Sequence, residues 1–149
     1  MRRPPLRVLL SALVLTACGA SFAAGLATED ARDAAATLGR ALTQSRADGL
    51  KPILPARGKV HLALARLGPE EGMFAAGQVV AVFRDFLAGG RVTSFDVVSV
   101  DGSERTGAQA LGRATITDRD GRKGTIGLRL GFQPEDGRWV LREVKETAE

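Results

Sequence analysis

The second half of the chain consists of four apolar segments that three Asp-Gly pairs separate. The segments cover residues 92–100, 109–117, 125–132 and 139–145, and the pairs are Asp101-Gly102, Asp120-Gly121 and Asp136-Gly137. An Asp-Gly pair between alternating segments predicts a β-hairpin, because both central residues of its tight turn need a positive φ. The pattern therefore predicts an antiparallel meander of four strands.

The first half of the chain predicts two helices and one more strand. Residues 29–46 follow Thr28, a residue type that caps helix N-termini, and carry small apolar side chains at helical spacing. Residues 75–88 predict the main helix, and residues 59–65 alternate like a strand. The apolar face of the main helix consists of Val79, Val82, Phe83, Phe86 and Leu87.

The order of these elements predicts an α+β fold. Residues 50–55 predict a short helical turn before a corner, and residues 67–72 predict a loop because they contain Gly68-Pro69. We therefore expect a curved antiparallel sheet of four to five strands. We expect this sheet to pack against an N-terminal helix and a longer second main helix. A signal peptide is expected to precede the domain.

The N-terminus has the pattern of a secretory signal. Arg2, Arg3 and Arg7 form a basic region before an apolar run over residues 8–17, which is too short to span a membrane permanently. The run ends in Leu-Thr-Ala followed by Cys18. This ending resembles a bacterial lipobox, whose cysteine takes a diacylglycerol thioether and becomes the new N-terminus.

Two processing routes are open, and they predict different locations. Cleavage before Cys18 gives a signal peptide over residues 1–17, a tether over 18–28, a single domain over 29–146 and a lipid anchor in the cell envelope. Cleavage after Ala23 by an ordinary signal peptidase instead discards Cys18. The product of that route is a secreted or periplasmic soluble protein.

Composition excludes several function classes. The chain has 21 Lys and Arg against 17 Asp and Glu, but three of the arginines lie in the signal, which leaves 18 against 17. This near balance argues against a nucleic-acid partner. A single cysteine and a single histidine exclude a Cys/His zinc cluster and an intramolecular disulfide, and we expect neither a metal nor a cofactor.

The domain resembles the nuclear transport factor 2-like superfamily of cystatin-like α+β cones, and within it the uncharacterised secreted bacterial families. The segments that carry the resemblance are residues 38–54, 78–87, 93–96 and 136–144. The resemblance implies a sheet and helices that enclose a pocket. The same fold hosts isomerases, dehydratases and binding modules, so it does not decide the function.

The candidate chemistry is sparse. Isomerases of this superfamily need a carboxylate base and a tyrosine-containing oxyanion hole, but the chain has no tyrosine. Asp85 and Asp96 are predicted to face solvent, and His61 lies opposite the apolar side of its strand. Glu143 shares strand parity with Trp139, so it points inward if Trp139 does, although an edge or salt-bridge role is the simpler expectation.

One strand suggests either close packing or space. Four small residues share one face of it: Ala108, Ala110, Gly112 and Ala114. They allow a helix to approach closely, or they leave a shallow apolar site. The candidate ligand-binding residues of such a site are Phe83, Phe86, Phe95, Trp139 and Glu143.

The sequence therefore predicts an exported, lipid-anchored binding or accessory domain of the bacterial envelope, without catalytic residues. Its expected partners are the membrane, through Cys18, and a small apolar ligand or an envelope protein. The alternative is a small envelope enzyme of isomerase or hydrolase type. A closed pocket that contains a carboxylate or His61 would favour the enzyme, and an open groove without carboxylates would favour the binding domain.

Overall fold

The computed structural model of the chain describes residues 20–68 and 70–148, so the signal segment and Cys18 lie outside the described residues. The helices are α1 (Ala20–Thr43), a short 3-10 helix (Ala47–Ile53) and α2 (Ala76–Leu87). The strands are β1 (Val60–Ala63), β2 (Glu71–Phe74), β3 (Arg91–Ser103), β4 (Gly107–Thr117), β5 (Lys123–Glu135) and β6 (Arg138–Thr147). The predicted α+β class is confirmed.

The strands form one sheet in the order β2-β1-β6-β5-β4-β3. Neighbouring strands are antiparallel except for β1 and β6, which run parallel. The sheet has six strands rather than four to five, because β2 forms where the loop was predicted to end. Its four residues carry no buried position, and the strand is held by its pairing with β1.

The helices differ from the prediction in length. α1 has 24 residues and α2 has 12, so the second helix is the shorter one. α1 begins at Ala20, within the predicted tether, because the alanine-rich segment before Thr28 has high helix propensity. Thr28 therefore lies inside the helix and is not its N-cap.

α1 packs closely against β3 and β4. Ala31, Ala35 and Leu38 of the helix are fully buried, and the small side of β4 lies beneath the helix layer, with Ala110 and Ala114 fully buried. The small residues of β4 were expected either to let a helix approach closely or to leave a shallow apolar site. The structure shows the close approach of a helix. The Phe95 ring fills the remaining space between the two elements.

Phe95 sits where two glycines leave room for it. A side chain at Gly39 of α1 would collide with the Phe95 ring, and a Cβ atom at Gly112 of β4 would lie 2.6 Å from the ring's Cζ atom. The ring thereby joins three elements at the edge of the sheet.

Two of the three Asp-Gly pairs form turns. Asp136 and Gly137 both have positive φ, 50° and 75°, as a tight hairpin requires. The pair at residues 120–121 also lies in a turn. Asp101-Gly102 instead continues β3 and pairs with β4, so the prediction of a turn there is wrong, and the chain reverses after Ser103.

Within residues 20–68 and 70–148, no helix is long and apolar enough to cross a membrane.

Candidate functional site

The aromatic residues that were predicted to border a ligand site lie in the core. Phe83, Phe86 and Trp139 are buried in one hydrophobic cluster, and Phe95 packs against it from the edge of the sheet. These side chains occupy the interior between helices and sheet, where the superfamily resemblance implies a pocket. Their role in ligand binding stays a prediction.

Glu143 faces away from this core. The pairing of β5 with β6 joins Phe132 to Leu141 but Gly131 to Glu143, so Arg142 is an extra residue, a β-bulge. A bulge reverses the faces of all later side chains, because residues alternate between the two sides of a sheet. The inference that Glu143 shares the inward face of Trp139 is therefore wrong.

The bulge places Glu143 in a row that crosses the whole helix-free face of the sheet. Aligned by the strand pairing, the row consists of Met73, His61, Glu143, Gly131, Gln109 and Asp101. One residue comes from each of the six strands. The lone histidine and an acid thus meet although 82 residues separate them in the chain.

Glu143 is the centre of a charged cluster. Its Oε2 atom lies 3.4 Å from Nδ1 of His61, and its Oε1 atom lies 3.5 Å from Nε of Arg129. The three side chains are 39%, 31% and 38% exposed for His61, Glu143 and Arg129, respectively. His61 and Arg129 therefore flank Glu143 through long contacts, the buried Nε atom of Arg129 makes no hydrogen bond, and the side chains remain in contact with water.

A groove of about 690 Å³ runs along the row. Its polar lining comes from His61, Asp101, Thr106, Gln109, Gln133, Arg142 and Glu143. The groove is open to solvent. Arg142 forms an ion pair with Glu135, and its Nη1 atom donates to the backbone oxygens of Arg57 and Lys59.

The remaining predicted acids lie elsewhere. Asp85 is exposed on α2 and pairs with Arg119 at 2.8 Å, and Asp96 is exposed on β3. Their predicted exposure is confirmed, and His61 lies opposite the buried residues of its strand, as predicted. No group of three or more His, Cys, Asp or Glu side chains in the described ranges could hold a metal ion.

The arrangement combines one acid-base pair with several neutral polar groups. A carboxylate at Nδ1 orients an imidazole, which is the arrangement of many proton-transfer sites. Here Glu143 also neutralises Arg129, and the pair lies in an open groove. Sequence reasoning missed Arg129, Gln109 and Gln133, because their side chains join this site only through the register of β4, β5 and β6.

Solved structures share this fold at low sequence identity. A DUF4783 family protein from Bacteroides uniformis is 15% identical with a TM-score of 0.61, over 76% of this chain and 97% of that one. An NTF-2-like protein of unknown function from Shewanella oneidensis is 15% identical with a TM-score of 0.60, over 81% and 98%. A proposed isomerase from Rhodopseudomonas palustris is 21% identical with a TM-score of 0.57, over 74% and 82%.

No family model matches the chain, and no curated protein matches it in sequence. Identities this low establish a shared fold and leave activity open. Membership of a secreted bacterial family therefore stays a prediction. The chain has the nuclear transport factor 2-like, or cystatin-like, fold that the sequence resemblance implied.

Proposed function

We propose that this protein is an exported, lipid-anchored binding domain of the bacterial cell envelope, and that the groove on the helix-free face is its ligand site. One observation carries the proposal. The space between helices and sheet is filled by buried aromatic and aliphatic side chains, whereas the groove of about 690 Å³ is open and lined by polar groups. A groove of this volume suits a small molecule.

The groove meets the sequence criterion for a binding domain only in being open, because Asp101, Glu143 and His61 line it. Binding is favoured over catalysis by the surroundings of the acid-base pair. General-base chemistry is most effective where water is excluded and the carboxylate is free to accept a proton. Glu143 is about one-third exposed and lies between His61 and Arg129, so its charge is already balanced. The pair is better suited to orienting a ligand than to taking a proton from one.

The groove also supports a second candidate, a small isomerase. The observation that favours it is the 3.4 Å distance between His61 and Glu143, and the proposed isomerase among the solved structures has the same fold. This candidate predicts that His61→Ala and Glu143→Gln each abolish a measurable turnover. Thr125→Ala, an exposed change on the same face of β5, is the matched control.

Export and anchoring rest on the sequence around Cys18. We expect cells that express the full chain to incorporate labelled palmitate into the protein, and the protein to fractionate with membranes. Cys18→Ser is expected to abolish labelling and to release the protein into the soluble fraction. Unchanged fractionation and mass of this variant would rule out the lipobox and leave an ordinary signal peptide.

A further inference from the structure

We propose that the groove binds a neutral, hydroxyl-rich ligand of the size of a short oligosaccharide, an inference that rests on the proposed function of the groove as the ligand site. Some polar side chains of the lining already form hydrogen bonds or ion pairs within the protein, and others are free to bind a ligand.

Three polar side chains of the lining are free. Among the described residues, no hydrogen bond or ion pair engages the side chain of Asp101, Gln109 or Gln133, and all three are exposed. The two amides each offer donors and an acceptor, and the carboxylate offers acceptors. A hydroxyl group both donates and accepts, so it can pair with either type of group.

The cationic group of the lining is not free. Arg142 pairs with Glu135 and donates to two backbone oxygens, as described above. An anionic ligand would therefore have to displace an existing ion pair and would also meet Asp101 and Glu143. The charge of the lining thus disfavours a phosphate or a carboxylate.

The apolar side chains of the lining offer little exposed surface to a ligand. Phe132 lines it but is only 2% exposed, and Ala108 is 4% exposed. The residue between Glu143 and Gln109 in the row is Gly131, which has no side chain. The floor at Gly131 is therefore backbone whose N–H and C=O groups pair with the neighbouring strands, so a ligand's hydrogen bonds come from the polar side chains of the lining.

The dimensions indicate a ligand longer than one sugar ring. Glu143 and Asp101 are three strand positions apart in the row, and neighbouring strands lie about 4.8 Å apart, so the row spans roughly 14 Å between them. Two or three pyranose rings fill such a length. The free groups at 101, 109 and 133 lie toward one end, and His61 with Glu143 lies at the other.

Saturation-transfer NMR on the full protein, purified from membranes in detergent, tests the inference. The neutral probes are maltotriose and triacetylchitotriose, and the contrasting probes are trigalacturonate and spermidine. We expect saturation transfer to at least one neutral trimer, none to trigalacturonate, and at most the weak transfer to spermidine that a single exposed ion pair with Asp101 would give. The two trimers distinguish a glucose-type ligand from an N-acetylglucosamine-type ligand.

Substitutions then locate the binding. Gln109→Ala and Gln133→Ala are each expected to weaken the trimer's affinity about fivefold, the effect of one lost neutral hydrogen bond. Thr125→Ala, on the same face but outside the groove, is expected to leave the affinity unchanged. Thermal melting of each variant controls for folding.

The outcomes separate this inference from the proposed function. Binding of trigalacturonate or spermidine alone, weakened by Gln109→Ala, would overturn the ligand class and keep the groove as a binding site. Absence of binding by all four probes would overturn both. Trimer binding that neither glutamine substitution weakens would also overturn both, because the ligand would then lie elsewhere.

Discussion

The carboxylate of Glu143 lies 3.4 Å from the imidazole of His61 across the parallel pair of strands in the sheet. Its other oxygen faces Arg129 on β5, so one side chain joins β1, β6 and β5 on the helix-free face. This contact ties the short β1 to the meander on the side of the sheet that no helix covers.

We expect the His61–Glu143 contact to contribute little to stability. A double-mutant cycle with His61→Ala and Glu143→Gln should give a coupling free energy below about 1 kcal/mol, because both groups are partly exposed. Urea unfolding of the parent protein, the two single variants and the double variant measures this coupling. A coupling above about 2 kcal/mol would mean that the pair is a structural clamp rather than a ligand-facing group.

The core aromatic residues are expected to behave differently. Phe83→Ala and Phe86→Ala should each destabilise the domain by roughly 3–5 kcal/mol, because each leaves a cavity in a packed interior. Met73→Ala is the control, since Met73 is 55% exposed. A loss below about 1 kcal/mol at either phenylalanine would show that the α2 face does not pack on the sheet.

Phe95 and Gly112 provide a test of close helix packing. Gly112→Ala should destabilise by about 1–3 kcal/mol through overpacking, because the new Cβ atom meets the Phe95 ring. Adding Phe95→Ala should remove most of the clash. The effects of the two substitutions on the free energy of unfolding should therefore be far from additive. Gly77→Ala, which meets no atom within 4 Å, is the control and should be neutral or stabilising.

The turn between β4 and β5 predicts that the stability of the domain depends on pH through Asp118. The backbone N–H of Arg122, assisted by that of Asp120, lowers the pKa of Asp118 below its ordinary value of 3.8. A lowered folded-state pKa means that the stabilisation is present above pH 3.8 and is lost as the pH falls through the folded value.

Asp118→Ala tests this dependence. The variant should melt at a lower temperature than the parent protein at pH 7, and the difference should shrink as the pH falls below 3.8. Thermal melts between pH 7 and pH 2 measure it. A difference that is constant over this range would show that the carboxylate charge does not hold the turn.

Most elements of this fold were predictable from the sequence, whereas the site was not. Alternation and Asp-Gly pairs mark the meander because side chains on a sheet alternate and tight turns need special backbone angles. The bulge at Arg142 has no such local signature. It depends on how β6 aligns with β5, and it decides which face Glu143 occupies.

Two other features also depend on distant parts of the chain. β2 has four residues and no buried position, so its strand conformation comes from pairing with β1. Asp101-Gly102 has the composition of a turn, but β4 continues to pair with it and the hairpin closes later. The row that lines the groove assembles only once these registers are set.

Backbone-amide NMR with a mixed library of small polar and apolar compounds tests the central claim, that the ligand site lies on the helix-free face, most directly. We predict that the amides whose shifts change on ligand addition cluster along Asp101, Gln109, Gly131 and Glu143. Shifts that cluster around Phe83, Phe86 and Trp139, or no shifts with any compound, would contradict it.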